Sequence, residues 1–158
     1  MQNQPKKNRH SIRLPGFDYR SSGAYFVTLC VYGRKPLFSN PQLKSILETQ
    51  WSALPQRFAD ITLDSFAIMP DHVHFIVWLD AKSAESPTLP QVVGAFKSLV
   101  AVSWSQYRKA AGITSSEKIW QRNYYEHVIR DDLDLETKRN YIRNNPLMAQ
   151  LKMESDKP

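Results

Sequence analysis

Two histidines separated by one residue, His72 and His74, are the residues of this chain whose type and spacing most favour a chemical role. The apolar residues around them alternate as in a β-strand, in which the side chains at i and i+2 point to the same face. The two imidazoles should therefore project together, with their backbones about 7 Å apart. Such a pair could bind one divalent metal ion or hold one phosphate.

The other face of the same strand carries only apolar side chains, namely Val73, Phe75, Val77 and Leu79. This pattern predicts that one face belongs to the core. A polar pair on an otherwise apolar strand needs a reason, because burying polar groups costs free energy unless they are satisfied. The alternative is a structural pair at a wet strand end.

Tyr141 and Asn145 lie four residues apart in a segment that is predicted to be helical, so they share one helical face. A tyrosine hydroxyl is a poor nucleophile at its ordinary pKa of about 10, and it needs a polarised electrophile or a base to act. The amide oxygen of Asn145 is a suitable hard ligand for magnesium or manganese. A metal held by His72, His74 and Asn145 could polarise a DNA phosphate while Tyr141 attacks it. The alternative is a surface tyrosine followed by a helix-capping asparagine.

The elements that must position these groups follow from residue patterns. Strands are predicted at residues 24–32, 61–68, 72–79 and 124–129, which are rich in aromatic and β-branched residues. The short link at 69–71 predicts that the second and third strands form an antiparallel hairpin. Helices are predicted at 41–54, before Pro55; at 89–110, after a capping box formed by Thr88 and Gln91; and at 131–145, ended by Pro146.

This order, strand-helix-strand-strand-helix-strand, predicts an α+β fold, namely a ferredoxin-like antiparallel sheet with helices packed on it. The last helix is an addition to that pattern and could cover the face on which the histidines stand. Residues 1–22 are predicted to be a basic N-terminal arm, residues 23–150 the domain, and residues 151–158 a short polar tail.

Composition favours a single globular domain with a polyanionic partner. The 158 residues carry a net charge of +6, and nucleic acid is the commonest partner of basic proteins. No apolar run approaches the roughly 20 residues that span a bilayer, and the polar N-terminus has no signal-like segment. The single cysteine excludes a disulfide framework and favours a reducing cytoplasm. Most aromatic residues near the basic ones are predicted to be core, and four cations are candidate DNA contacts: Arg9, Arg13, Lys97 and Arg122.

Six segments together resemble the REP-associated tyrosine transposases, which are relatives of the single-strand HUH transposases of insertion sequences. The segments occur in the expected order at residues 13–19, 23–28, 69–74, 94–98, 120–127 and 141–146. The His-hydrophobe-His pattern alone is common, but the six segments in this order are specific. The resemblance covers roughly residues 9–150.

The resemblance implies a bacterial, nucleoid-associated enzyme that binds single-stranded DNA hairpins of repetitive extragenic palindromes and cuts beside them. His72 and His74 match the metal motif, Tyr141 matches the catalytic tyrosine, and Asn145 falls at the position of the third metal ligand. The implied cofactor is Mg²⁺ or Mn²⁺. The implied chemistry forms a 5′-phosphotyrosine link and releases a 3′-hydroxyl, and both monomers and homodimers occur among such proteins.

Two other functions compete with this prediction. Histidine-triad nucleotide hydrolases use His-x-His-x-His, but Ile76 occupies the third position here. A non-catalytic module that binds DNA or RNA hairpins is the stronger alternative, since ferredoxin-like sheets often stack bases on strand aromatics.

Overall fold

A computed structural model describes residues 22–114 and 117–155, with side chains up to Pro146. In chain order, the elements are β1 (Gly23–Cys30), α1 (Pro41–Arg57), β2 (Ile61–Met69), β3 (His72–Leu79), α2 (Leu89–Ala110), β4 (Tyr125–Val128) and α3 (Asp132–Ser155). Short 3-10 turns at Tyr32–Arg34 and Leu37–Ser39 connect β1 to α1. The predicted order of strands and helices is confirmed.

The four strands form one sheet in the order β2-β3-β1-β4, and each neighbouring pair is antiparallel. This is the topology of the predicted ferredoxin-like α+β fold. The register pairs His74 with Thr28 of β1 on one side and with Ala67 of β2 on the other. His74 therefore lies on a central strand.

Local capping explains where the helices begin. The Asn40 side chain accepts hydrogen bonds from the backbone N–H groups of Gln42 and Leu43 at the start of α1. Thr88 and Gln91 form the predicted capping box at the start of α2. Asp131 accepts a hydrogen bond from the backbone N–H of Asp134, which fixes the first turn of α3. Each cap satisfies N–H groups that have no partner within the helix.

The predicted helix ends are wrong at both prolines. Helix α1 continues through Pro55 to Arg57, and α3 continues through Pro146 to Ser155. The steric bias against helical backbone before proline is a preference, and a proline within a helix removes one hydrogen bond without forcing the chain to stop. The segment after Pro146 is rich in Leu, Met, Gln and Lys, which favour helix.

The two faces of the sheet are covered differently. Helices α1 and α2 lie on one face, where Phe75 is fully buried among Trp51 and Phe96. Helix α3 lies on the other face, where a smaller cluster joins Ile142 to Phe26 and other sheet residues. No helix in the described part of the chain is long and apolar enough to cross a membrane.

An ionic contact fixes α3 to the edge of the sheet. Both oxygens of the Asp64 carboxylate on β2 accept from the guanidinium of Arg139 on α3, at 3.0 and 2.6 Å. The same carboxylate accepts from the indole N–H of Trp78 at 2.9 Å. These hydrogen bonds, from Arg139 first and also from Trp78, lower the pKa of Asp64 to about 2 although burial opposes the shift.

Candidate active site

Strand β3 brings the two predicted histidines together on the face that α3 covers. Their Nε2 atoms lie 3.1 Å apart, and their rings meet nearly edge to face. The alternation of β3 explains this arrangement, because Val73 between them turns into the opposite core.

The other nitrogen of each ring has a partner. His72 Nδ1 lies 2.6 Å from a carboxylate oxygen of Asp71, and His74 Nδ1 lies 2.8 Å from the hydroxyl of Thr28. An ionised carboxylate can only accept, so Nδ1–H of His72 is the donor in this contact. The Thr28 hydroxyl can accept from His74 in the same way. Partners of this kind orient histidines that bind metals.

Arg34 supports Asp71 from an unusual backbone conformation. Its φ is 55°, in the left-handed region that non-glycine residues seldom adopt. From there its Nε donates to the second Asp71 oxygen at 2.9 Å, and one terminal nitrogen lies 3.0 Å from the sulfur of Cys30. The backbone N–H of Val31 also donates to the Asp71 carbonyl. Such strain clusters at functional sites, where surrounding contacts maintain it.

The electrostatics of the site keep His74 neutral. Burial first, and then the charges of His72 and Arg34, lower the pKa of His74 to about 4. Burial tends to raise the pKa of Asp71, but the hydrogen bond from His72 and the charge of Arg34 outweigh it and leave this pKa lowered. At neutral pH the site therefore contains a neutral imidazole and an ionised carboxylate.

Helix α3 places Tyr141 beside the histidines. The Tyr141 ring centroid lies 5.2 Å from that of His74 and 5.9 Å from that of Phe26, which itself stacks on His74. Tyr141 is 50% exposed, so part of its side chain is accessible to a bound molecule. One helical turn earlier, Lys138 Nζ lies 5.2 Å from the centre of the Phe26 ring.

These groups share a cavity of about 470 Å³, lined by Phe26, Thr28, Arg34, His72, His74, Tyr125, Lys138 and Tyr141. Asn145 follows Tyr141 by four residues on α3 and is half-buried, but it is not among these lining residues. Its place as a third metal ligand stays a prediction.

The donor set suits a divalent cation. Two ligand atoms at right angles, each about 2.1 Å from an octahedral ion, stand about 3 Å apart, and the two Nε2 atoms have this separation. Within residues 22–114 and 117–155, no group of three or more His, Cys, Asp or Glu side chains could hold a metal. An amide oxygen such as that of Asn145, water or the substrate could supply further ligands.

Two of the four predicted DNA contacts lie away from this cavity. Lys97 on α2 and Arg122 line a separate cavity on the α1/α2 side of the molecule. Lys97 Nζ is half-buried and donates to the Gln121 carbonyl at 2.7 Å, and burial followed by the charge of Lys118 lowers its pKa. Arg9 and Arg13 lie outside the described residues. The prediction that all four contact DNA is thus not tested by the structure.

The sequence interpretation missed the residues that support the site. Thr28, Arg34 and Lys138 belong to it, and Asp71 orients His72, but none was predicted. Asp71 directly precedes the first histidine, and Lys138 precedes Tyr141 by one turn, so spacing alone could have indicated both. Thr28 and Arg34 depend on the register of β1 and on a left-handed turn, which leave no local signal.

Comparison with known proteins shows the family to which the chain belongs. Residues 20–145 match the model of the IS200-like transposases. An uncharacterized protein of Haemophilus influenzae is 34% identical, with 89% of each chain covered. A REP-associated tyrosine transposase of Escherichia coli is 26% identical, covering 82% of this chain and 69% of the relative.

A solved structure supports the same fold. It is that of a REP-associated tyrosine transposase bound to a REP hairpin, with a TM-score of 0.59, 20% identity, and coverage of 80% of this chain and 68% of that one. The chain therefore belongs to the IS200-like transposase family, as a relative of the REP-associated tyrosine transposases.

Proposed function

We propose that this protein is a metal-dependent enzyme that nicks and rejoins single-stranded DNA beside hairpins, with Tyr141 as the nucleophile. The observation that carries the proposal is the meeting of the Tyr141 ring with two converging imidazoles in one cavity. The family suggests the class of reaction. The residues of this cavity are the candidates for metal binding, nucleophilic attack and phosphate contact.

His72 and His74 would hold the cation through Nε2, and Asn145 would complete the site with its amide oxygen. When bound, Mg²⁺ or Mn²⁺ would polarise the scissile phosphate and offset the charge that develops on it. Asp71 and Thr28 keep both imidazoles oriented for this task through Nδ1.

Tyr141 would perform the covalent step. Its Oη forms a bond to phosphorus as the bond from phosphorus to O3′ breaks. The phenolic proton passes to solvent and the departing O3′ takes up a proton, which leaves a 5′-phosphotyrosine and a 3′-hydroxyl. The reverse attack by a 3′-hydroxyl restores the phosphodiester, so rejoining requires no ATP. Arg34 and Lys138 place positive charge at the cavity where the phosphate would lie.

The proposed substrate is a hairpin of a repetitive extragenic palindrome. The net charge of +6 favours a polyanion, and a REP hairpin is bound in the structure of a relative. Arg9, Arg13, Lys97 and Arg122 are the proposed phosphate contacts. Because such contacts release counterions, hairpin affinity should fall steeply as salt concentration rises.

Covalent capture of labelled DNA tests the proposal. The probe is a hairpin from the genome that encodes the protein, with its single-stranded flanks and a label on the 5′-phosphoryl side of the cut. With Mg²⁺ or Mn²⁺, the wild-type protein should retain label after denaturation, and Tyr141→Phe should not. Hairpin binding by Tyr141→Phe should be nearly unchanged, because only the hydroxyl is removed.

Two results would overturn the proposal in different ways. An adduct with Tyr141→Phe would mean that another group is the nucleophile. Binding without any adduct by the wild-type protein, across genomic hairpins and both metals, would favour the non-catalytic hairpin-binding module.

A further inference from the structure

Tyr125 lines the same cavity, and the proposed chemistry leaves it without a role. The described part of the chain has three exposed aromatic side chains, those of Tyr32, Tyr125 and Tyr141. Of these, Tyr125 and Tyr141 line this cavity. The Tyr125 side chain is 46% exposed, so a large part of its ring is accessible to a ligand.

The position of Tyr125 suits contact with a substrate held at the histidines. It lies on β4 directly opposite Thr28, the residue that contacts His74. The Phe26 ring is near the rings of both His74 and Tyr125, with its centroid 5.4 Å from that of His74 and 6.3 Å from that of Tyr125. Phe26 is itself buried, so Tyr125 presents the accessible ring on this wall.

The cations of the cavity lie near the position proposed for the phosphate of a bound nucleotide. Arg34 contacts Asp71, which contacts His72, and Lys138 lies over Phe26 near Tyr141, so cations border the position proposed for the phosphate. Tyr125 adds an aromatic ring to this lining rather than a further cation. A cavity of about 470 Å³ is in the range of sites that hold small ligands.

Building on the proposed function, we propose that Tyr125 is the platform on which the base next to the scissile phosphate stacks. Stacking on an aromatic ring tolerates any base but requires an exposed base face, which a paired base within a duplex does not offer. Tyr125 would thus help the enzyme to select an unpaired flank.

A fluorescence experiment tests this contact without requiring cleavage. The probe is the genomic hairpin with 2-aminopurine placed in turn at each nucleotide next to the cut, bound to protein that carries Tyr141→Phe. At one position, the fluorescence of 2-aminopurine should be quenched by the protein with Tyr125 and by the Tyr125→Phe variant. The Tyr125→Ala variant should not quench it. The dissociation constant should rise roughly tenfold to hundredfold for Tyr125→Ala. Tyr32→Ala is the matched control, since Tyr32 is exposed but does not line the cavity.

Removal of the base then separates stacking from other roles of Tyr125. An abasic nucleotide at the quenched position should weaken hairpin binding by the protein that retains Tyr125. In the Tyr125→Ala protein, the same abasic nucleotide should cause little further loss of affinity. Fully additive losses, or quenching that survives Tyr125→Ala, would overturn the platform. Failure of the proposed function would give a different result. The wild-type protein would then form no adduct, while the quenching by Tyr125 persisted.

Discussion

The two faces of the sheet differ in what they bury. The α1/α2 face buries aromatic and aliphatic side chains, with Trp51, Phe75 and Phe96 in direct ring contact. The α3 face carries a small apolar cluster, two imidazoles, and an open cavity beside Tyr141. Strand β3 contributes alternate residues to both faces.

This difference teaches that one strand can serve stability and chemistry at once. Phe75 stabilises the fold on one side, while His74, its neighbour in sequence, lines the cavity on the other. The period of two residues separates the two tasks. A one-residue shift in register would exchange the faces, so the large apolar core also fixes the position of the histidines.

Truncation of Phe75 should have the largest effect on stability. Phe75→Ala removes a fully buried ring and should lower the free energy of unfolding by about 3–5 kcal/mol. Urea denaturation of metal-free protein measures this change. His74→Ala is the matched truncation on the opposite face, and it should cost less, because the imidazole lines a cavity and its removal leaves no enclosed void. Equal losses for the two variants would contradict the division between the faces.

Loss of the ion pair that attaches α3 to the sheet should have the next largest effect on stability. Asp64→Asn leaves Arg139 without its charged bidentate partner and should lower the free energy of unfolding by more than loss of the exposed Glu136 contact does. Chemical denaturation checks this difference. Glu136→Gln is the control, because Glu136 contacts the same guanidinium but is more than half exposed, and its loss should stay below about 0.5 kcal/mol. A larger loss for the Glu136 variant would mean that the surface pair fixes α3.

The hydroxyl that orients His74 should affect metal affinity rather than folding. Thr28→Val removes the partner of His74 Nδ1 and should weaken Mn²⁺ binding about tenfold, whereas Thr28→Ser should retain it. Titration calorimetry measures both affinities. Unchanged Mn²⁺ affinity in Thr28→Val would show that the hydroxyl has no part in orienting the imidazole.

The sequence predicts the elements well because their signals are local. Alternation around His72 and His74 predicts their common face, and helical spacing places Tyr141 on the added helix. The capping residues Asn40 and Thr88 mark helix starts by hydrogen bonds within three residues. The order of strands then gives the ferredoxin-like topology.

The supporting groups could not be predicted because they depend on distant pairing. Thr28 contacts His74 across 46 residues, and only the register of β1 against β3 brings them together. Arg34 reaches Asp71 from a left-handed conformation for which the sequence carries no signal at Arg34 itself. The continuation of α3 past Pro146 was not predicted, because the bias against helical backbone before proline is only local and the residues that follow favour helix.

Acid should produce the smallest effect, through the same carboxylate that fixes α3. The folded-state pKa of Asp64 is lowered to about 2, so its ion pair stabilises the protein above the unfolded-state pKa of about 4. This contribution should decline as pH falls from about 4 towards 2, because in that range the unfolded state binds a proton at Asp64 that the folded state does not. The difference in stability between wild type and Asp64→Asn should therefore be constant near neutral pH and narrow in acid, as measured by denaturation at each pH. A difference that keeps its full size at pH values near 2 would mean that Asp64 stabilises α3 by shape and neutral hydrogen bonds rather than by its charge.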